Sequence, residues 1–264
     1  MQKLGMAILI SHPEAGSIEE QIALFAAVGF DAFFLSCGVT EAFERIPYWA
    51  ERASAAGIDF EAVHAPSDGL NAVWLDEAEG ERYMERIRQV IDHCAAGGVD
   101  KLVMHTAAGG EKAPAVSACG LARFAALEAF AQEAGVHLCY ENADASPHLA
   151  AVLEQAGDYH GFCFDCGHQF CYTPEEPLLS RFGHRLLYTH IHDNFGDRDR
   201  HLLPFDGGRD WLQYAKLLRG TGYAGTLTLE LACHSSEKYR AMPFAGFVQE
   251  AYHRAKRLRE EMVG

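Results

Sequence analysis

Hydrophobic positions along the chain alternate between two patterns. Short runs rich in β-branched and aromatic residues end near Ile10, Ser36, His64, His105, Glu141, Asp165, His192 and Glu230, bounded by Gly, Pro or Asp as strand ends are. Between these runs apolar residues recur at spacings of three and four. One set is Tyr83, Met84, Ile87, Val90, Ile91 and Cys94, and another is Phe244, Phe247, Val248, Ala251, Tyr252, Ala255 and Leu258, each the stripe of an amphipathic helix. Ser17 and Glu20 form a capping box ahead of Ile18, Ile22 and Phe25. Strand and helix alternate eight times with no Pro/Ser-rich linker between them, so residues 1–264 are expected to form one domain. Eight βα units with right-handed crossovers close into an α/β fold of the (β/α)8 TIM-barrel type, whose site lies at the carboxyl ends of the strands. An open doubly wound sheet would carry a Gly-rich phosphate turn after the first strand. The turn Ser11-His12-Pro13-Glu14-Ala15-Gly16 has no such spacing.

The ionisable residues sharpen this expectation, because they terminate the strands. His64 closes Phe60–His64, His105 closes Leu102–His105, Glu141 closes His137–Glu141, and Asp165 closes Gly161–Asp165. His190 and His192 close Leu186–His192, and Glu230 closes Gly225–Glu230. Alternate residues of a strand share a face. Ala62/His64, Cys139/Glu141, Cys163/Asp165 and Thr228/Glu230 are therefore expected to face inward, leaving Leu138, Tyr140, Phe164, Leu227 and Leu229 for burial under the helices. Glu141, Asp165 and Glu230 in one barrel mouth would cost several kcal/mol through repulsion and desolvation, on the order expected for clustered carboxylates. A divalent cation is the natural neutraliser. His93, His137, His148, His160, His184, His234 and His253 fall in helical or exposed contexts and are expected to be surface or satisfied core residues.

Composition narrows the partners. A formal net charge of −15 opposes a sequence-independent grip on nucleic acid. No apolar run reaches the roughly 20 residues a membrane helix needs, and Met6 to Ile10 is too short for a signal peptide. A cytoplasmic enzyme of a small molecule is expected, and a homo-oligomer is compatible with this composition. The 8 cysteines, Cys37 among them, are expected to be reduced thiols. The Cys163/Cys166 pair has no second CxxC to complete a zinc ribbon.

The segments His64-Ala65-Pro66, Tyr140-Glu141-Asn142, Asp165-Cys166-Gly167-His168, His190-Ile191-His192-Asp193-Asn194, Asp199-Arg200-His201 and Leu229-Glu230 together resemble the xylose isomerase-like TIM-barrel superfamily. That superfamily includes sugar (phosphate) isomerases and epimerases and the endonuclease IV type of nuclease. The resemblance covers roughly residues 1 to 260. It implies that Glu141, Asp165, His190 and Glu230 hold a metal, with Mn²⁺, Mg²⁺, Co²⁺ or Zn²⁺ all suited to three carboxylates and an imidazole. It also implies that His168 contacts substrate. His64, His105, Asp199 and His201 match residues that, with Glu141 and His168, complete the endonuclease's three-metal cluster. One cation is expected and up to three could be held.

The leading expectation is a divalent-metal-dependent isomerase or epimerase of a sugar or sugar phosphate, working by proton transfer next to a carbonyl through a metal-stabilised enediolate. Glu141 and Glu230 would be its acid/base pair, with His168, Arg198, Arg200 and Arg209 holding an oxyanion or phosphate and Trp74 and Phe195 forming an apolar wall. The alternative is a multinuclear zinc phosphoester hydrolase of endonuclease IV type. Against it, Ser67 stands where that family has Tyr after His-Ala-Pro, and the basic cluster at the mouth is small.

Overall fold

The computed structural model describes residues 2–36 and 40–262, so Cys37 lies outside them. Eight parallel strands, β1 (Leu4–Ala7), β2 (Ala32–Leu35), β3 (Asp59–His64), β4 (Lys101–His105), β5 (His137–Glu141), β6 (Gly161–Asp165), β7 (Leu186–His190) and β8 (Leu227–Leu229), follow one another around a (β/α)8 barrel. Each pairs with its sequence neighbour, and β1 also pairs with β8. The last seam is closed by a parallel bridge between Ile191 and Leu229, with Ile191 N–H on the Thr228 carbonyl at 2.9 Å and Glu230 N–H on the Ile191 carbonyl at 3.1 Å.

Helices cover the outside: α1 (Ile18–Val28), α2 (Ile46–Ala56), α3 (Ala78–Gly97), α4 (Ala118–Glu133), α5 (Ser146–Gln155), α6 (Cys166–Tyr172), α7 (Leu178–Phe182), α8 (Trp211–Gly220), α9 (Glu237–Arg240) and α10 (Phe244–Glu261). The capping box forms as the sequence implies. Ser17 Oγ accepts from Glu20 N–H at 3.2 Å and Glu20 Oε2 accepts from Ser17 N–H at 2.7 Å. At the other end of α1, Gly29 takes φ 111°, a left-handed cap open to glycine. Among the described residues no helix is long and apolar enough to cross a membrane, and the described cysteines are free thiols.

The period of two along the strands sorts the core into two layers. Leu138, Tyr140, Phe164, Leu227 and Leu229 pack outward beneath the helices, while Ala7, Phe34, Ala62, Val103, Cys139, Cys163 and Tyr188 fill the barrel. Phe34 stacks on the His190 ring at 4.5 Å, so an apolar floor lies directly under the strand-end ligands. Three strand ends differ from the sequence expectation. β1 stops at Ala7, leaving Ile10 58% exposed; β7 stops at His190, beyond which only Ile191 pairs; and β8 is confined to Leu227–Leu229. At β1 the apolar run Ile8–Ile10 continues past the end of the strand, which hydropathy does not register.

His160 is a satisfied core residue, as expected. Its Nδ1 accepts from Leu138 N–H at 3.0 Å and its Nε2–H donates to the Glu128 carbonyl at 2.9 Å, which requires the neutral ring. Burial lowers its pKa to about 4. The unfolded chain therefore binds the extra proton between the ordinary histidine value, about 6.5, and pH 4, so stability is full above that window and falls as pH drops through it. His160→Gln keeps both hydrogen bonds and removes the titration. Urea unfolding at pH 7 and pH 5 should show a smaller loss of midpoint on acidification in the variant than in the parent. Equal losses would exclude His160 as a source of acid sensitivity.

Candidate metal centre

The strand termini carry the candidate ligands to one mouth. In the register, His105 lies opposite Glu141 and Asp165 opposite His190, while His64 ends β3 and Glu230 directly follows β8. One donor atom from each of Glu141, Asp165, His190 and Glu230 falls within 4.8 Å of the others. His190 Nδ1 sits between the two glutamates, 2.6 Å from Glu141 Oε1 and 3.3 Å from Glu230 Oε2. Glu141 is fully buried, with Oε2 2.8 Å from His64 Nε2, whereas 13% of the Glu230 side chain is open to the mouth.

Two further groups flank this quartet. His64, His105 and Glu141 form one, and His168, His192, Asp199 and His201 the other, again with donors within 4.8 Å of one another. His168 is placed by the first turn of α6, where Asp165 Oδ1 caps its backbone N–H at 2.6 Å. Asn142 fixes Asp165 in turn, its side chain accepting from Asp165 N–H at 2.9 Å and donating to the Asp165 carbonyl at 2.8 Å. Asp199 and His201 lie on the loop between β7 and α8, which folds back through paired Asp193 and Leu202 backbone hydrogen bonds of 2.9 Å each.

The donor chemistry fits a cation. The Nδ1 atoms of His64, His168 and His201 lie 2.8, 2.9 and 3.0 Å from the carbonyls of Ala65, Asn142 and Glu230, so each Nδ1–H is spent on the main chain. That fixes the tautomer in which Nε2 presents a lone pair, the outer hydrogen-bonding pattern of metal-ligating histidines. Those Nε2 atoms face carboxylates: Glu141 at 2.8 Å, and Asp199 at 3.2 and 2.8 Å for His168 and His201. A lone pair against a carboxylate needs a proton or a cation between them. Buried His105 Nδ1, His190 Nε2, His192 Nδ1 and Asp199 Oδ1 have no hydrogen-bond partner in the protein, which leaves further capacity for ligation.

Charge compensation follows the same lines. Burial disfavours the charged form of every group here, yet the neighbouring imidazoles His190 and His105 hold the Glu141 carboxyl well below the usual range. Burial opposes but does not prevent a rise of His201 to about 9, driven by its hydrogen bond to Asp199 and the charge of Glu230. For His105, burial dominates and lowers the pKa to about 4.

The sequence matches the description "Xylose isomerase-like TIM barrel" over residues 22–261. The chain belongs to this family. It is 32% identical over 253 residues to the uncharacterized protein y4fM of Sinorhizobium fredii, covering 83% of this chain and 79% of that one. Several solved structures share the fold at low identity. A D-tagatose 3-epimerase-like protein superposes with TM-score 0.77 at 21% identity, covering 100% of both chains. The IOLI protein with a binding zinc atom superposes with TM-score 0.78 at 17% identity, covering 99% of this chain and 98% of that one.

Within this family barrel, the nine candidate ligands read from sequence all reach the mouth, and His192 joins them. His192 was legible as a strand-end residue two positions after His190, hence on the same face, but lies outside the set implied by the resemblance. His168 is turned onto Asp199, with Nε2 3.2 Å from Oδ2.

Trp74 does not form a wall above the mouth. It is 2% exposed, packed against Phe124 and His148, with its indole N–H on the Thr106 carbonyl at 2.8 Å. Arg209 is likewise turned under the loop, onto the Cys166 carbonyl and Gln169. Arg198 is exposed, Arg200 is half-buried and paired with Asp197, and Phe195 is 57% exposed beneath Arg200.

Proposed function

We propose that this chain is a divalent-metal-dependent isomerase or epimerase of a sugar or sugar phosphate. The observation that carries the reading is the convergence of Glu141, Asp165, His190 and Glu230, with both glutamates against His190 Nδ1. These four residues would hold one cation, which when bound supplies Lewis-acid polarisation of a carbonyl and its neighbouring hydroxyl. Glu230, partly open to the mouth, takes the proton from the carbon beside the carbonyl. Glu141 delivers a second proton from the other side of the substrate, one that rests on the His64 imidazole hydrogen-bonded to it at 2.8 Å and passes through the carboxylate. The apolar floor of Phe34 and Tyr188 keeps water from reaching the carboxylates from below. Arg198 and Arg200, on the loop after β7, would supply the cations for a terminal phosphate.

The two flanking donor groups favour one second reading, a multinuclear zinc phosphoester hydrolase. One experiment separates the two. Purified protein supplied with Mn²⁺, Co²⁺ or Zn²⁺ is incubated in deuterated water with ketoses and ketose phosphates, and in parallel with phosphodiesters. The expected result is an isomerised or epimerised product carrying deuterium on the carbon next to the carbonyl. Phosphoester cleavage without any isomerised product would overturn the isomerase reading.

A further inference from the structure

The barrel has a second polar end. Opposite the mouth, at the amino ends of the strands, lies a cavity of about 320 Å³, at the small end of the range for ligand pockets. Two register shifts shape it. In the β2–β3 ladder Phe33 pairs with Phe60 and Phe34 with Ala62, so Glu61 is an extra residue between an outward phenylalanine and an inward alanine. In the β6–β7 ladder Phe162 pairs with Leu186 and Cys163 with Tyr188, which makes Leu187 extra in the same way. Bulges re-aim side chains. Here they turn both residues into the barrel: Leu187 packs against the inner layer, and Glu61 Oε1 accepts from Thr226 Oγ1 at 2.7 Å, across the two intervening strands.

The groups at this end do not satisfy one another, as those of a plug serving stability alone would. Burial raises the Glu61 carboxyl above its ordinary value despite Lys101 and Lys3 nearby, and each lysine is itself paired, Lys101 with Asp100 and Lys3 with Asp59. Tyr188 lines the cavity, and its hydroxyl is buried with no hydrogen-bond partner among the described residues. Tyr223 closes one side. Its ring lies over Gly225, where a Cβ would stand 2.5 Å from it, and its hydroxyl donates to the Thr226 carbonyl at 3.0 Å. We propose that this cavity binds a small α-amino acid as its zwitterion, with the ammonium on Glu61 and the Tyr188 oxygen and the carboxylate on Lys3 and Lys101. The charges are sorted by depth for such a ligand: the lysine side chains are more exposed than Glu61, so cations stand at the rim and a carboxylate with a hydroxyl lies below. An ammonium donates to both deep acceptors and neutralises Glu61, whereas a hydroxyl in its place would leave a buried charge uncompensated. Leu187 and Tyr223 suit a short, uncharged side chain.

The site shares no side chain with the candidate metal ligands, from which the Tyr188 ring separates it, edge-on to His190 at 5.6 Å, and it stands whether or not the mouth is an isomerase. The test is calorimetric titration of the metal-loaded protein with glycine, L-alanine, L-serine and L-valine, and with acetate and methylammonium as half-ligands. At least one amino acid should bind at one site per chain, about tenfold or more tighter than either half-ligand, because each of those satisfies only one end. Glu61→Gln keeps an acceptor for Thr226 and removes the charge. It should weaken binding by about tenfold or more, the loss of a charge-assisted hydrogen bond. Lys101→Met, at the rim and outside the packed layers, should weaken it similarly and guards against a Glu61 variant that fails to fold. Amino acids also chelate metals, but chelation at the mouth would be indifferent to both substitutions. No binding by the unaltered protein overturns the site. Binding undiminished by either substitution overturns it too, as does acetate binding as tightly as the amino acid.

Discussion

Glu230→Gln is expected to lower kcat by at least about 10³, in the range found when a positioned acid/base group is removed, while leaving the fold intact. Glu230 is held in place by its backbone, through the N–H bond to Ile191 at 3.1 Å, and that bond survives the substitution. Its carboxylate, in contrast, packs into no apolar layer and opens to the mouth. The amide cannot accept a proton at the pH of the reaction and is a weaker, uncharged donor to a cation beside His190. Both losses fall on the transition state rather than on the ground-state binding of a polyhydroxylated substrate, so KM should change much less than kcat. The measurement is steady-state kinetics on whichever substrate the screen in deuterated water identifies, with circular dichroism as the control for folding. Undiminished turnover would remove Glu230 from the chemistry.

Much of this mouth was legible because strands have a period of two and the barrel puts every strand end at one rim. Glu141, Asp165 and His190 needed only their positions at the ends of apolar runs, and Cys139 and Cys163 beneath them marked the inner face. The orientation of long side chains was not legible. Trp74 follows β3 in a segment that could have lined the mouth; its depth is decided by Gly120, a residue 46 positions away, where a Cβ would stand 2.2 Å from the Trp74 ring. Arg209 reads as a mouth cation by charge, yet the loop turns it inward onto the Cys166 carbonyl. His192 shared the face of His190 by simple alternation, but only the folded loop brings Asp199 and His201 up against it. Sequence thus located the ring of donors, whereas packing partners remote in the chain set their aim.

The second large effect is expected at a residue that touches none of the candidate ligands. Asp193 is buried, and its carboxylate gathers the loop after β7: Oδ1 accepts from the backbone N–H groups of Asn194 at 2.9 Å and Arg209 at 3.3 Å, and Oδ2 from Phe205 at 3.1 Å, Gly207 at 2.9 Å and the Trp211 indole N–H at 2.9 Å. The loop is built for this contact. Phe205 takes φ 73°, and a Cβ on Gly207 would stand 2.3 Å from Asp193 Oδ1. Asp193→Ala leaves five donors without their acceptor, each costing about 1–3 kcal/mol if it stays buried. Relaxation of the loop into water limits the total, and a loss of about 3 kcal/mol is expected in urea unfolding. Asp193→Asn should be nearly as harmful, because its NH₂ would point at two or three of the same N–H groups. Asp199 and His201 ride on this loop, so both variants should also loosen the hold of these two side chains at the mouth. Limited trypsin digestion should cut at Arg198 or Arg200 sooner in the variants than in the parent. Unchanged stability and unchanged cleavage would show that the loop is held by its backbone pairing with Leu202 and not by Asp193.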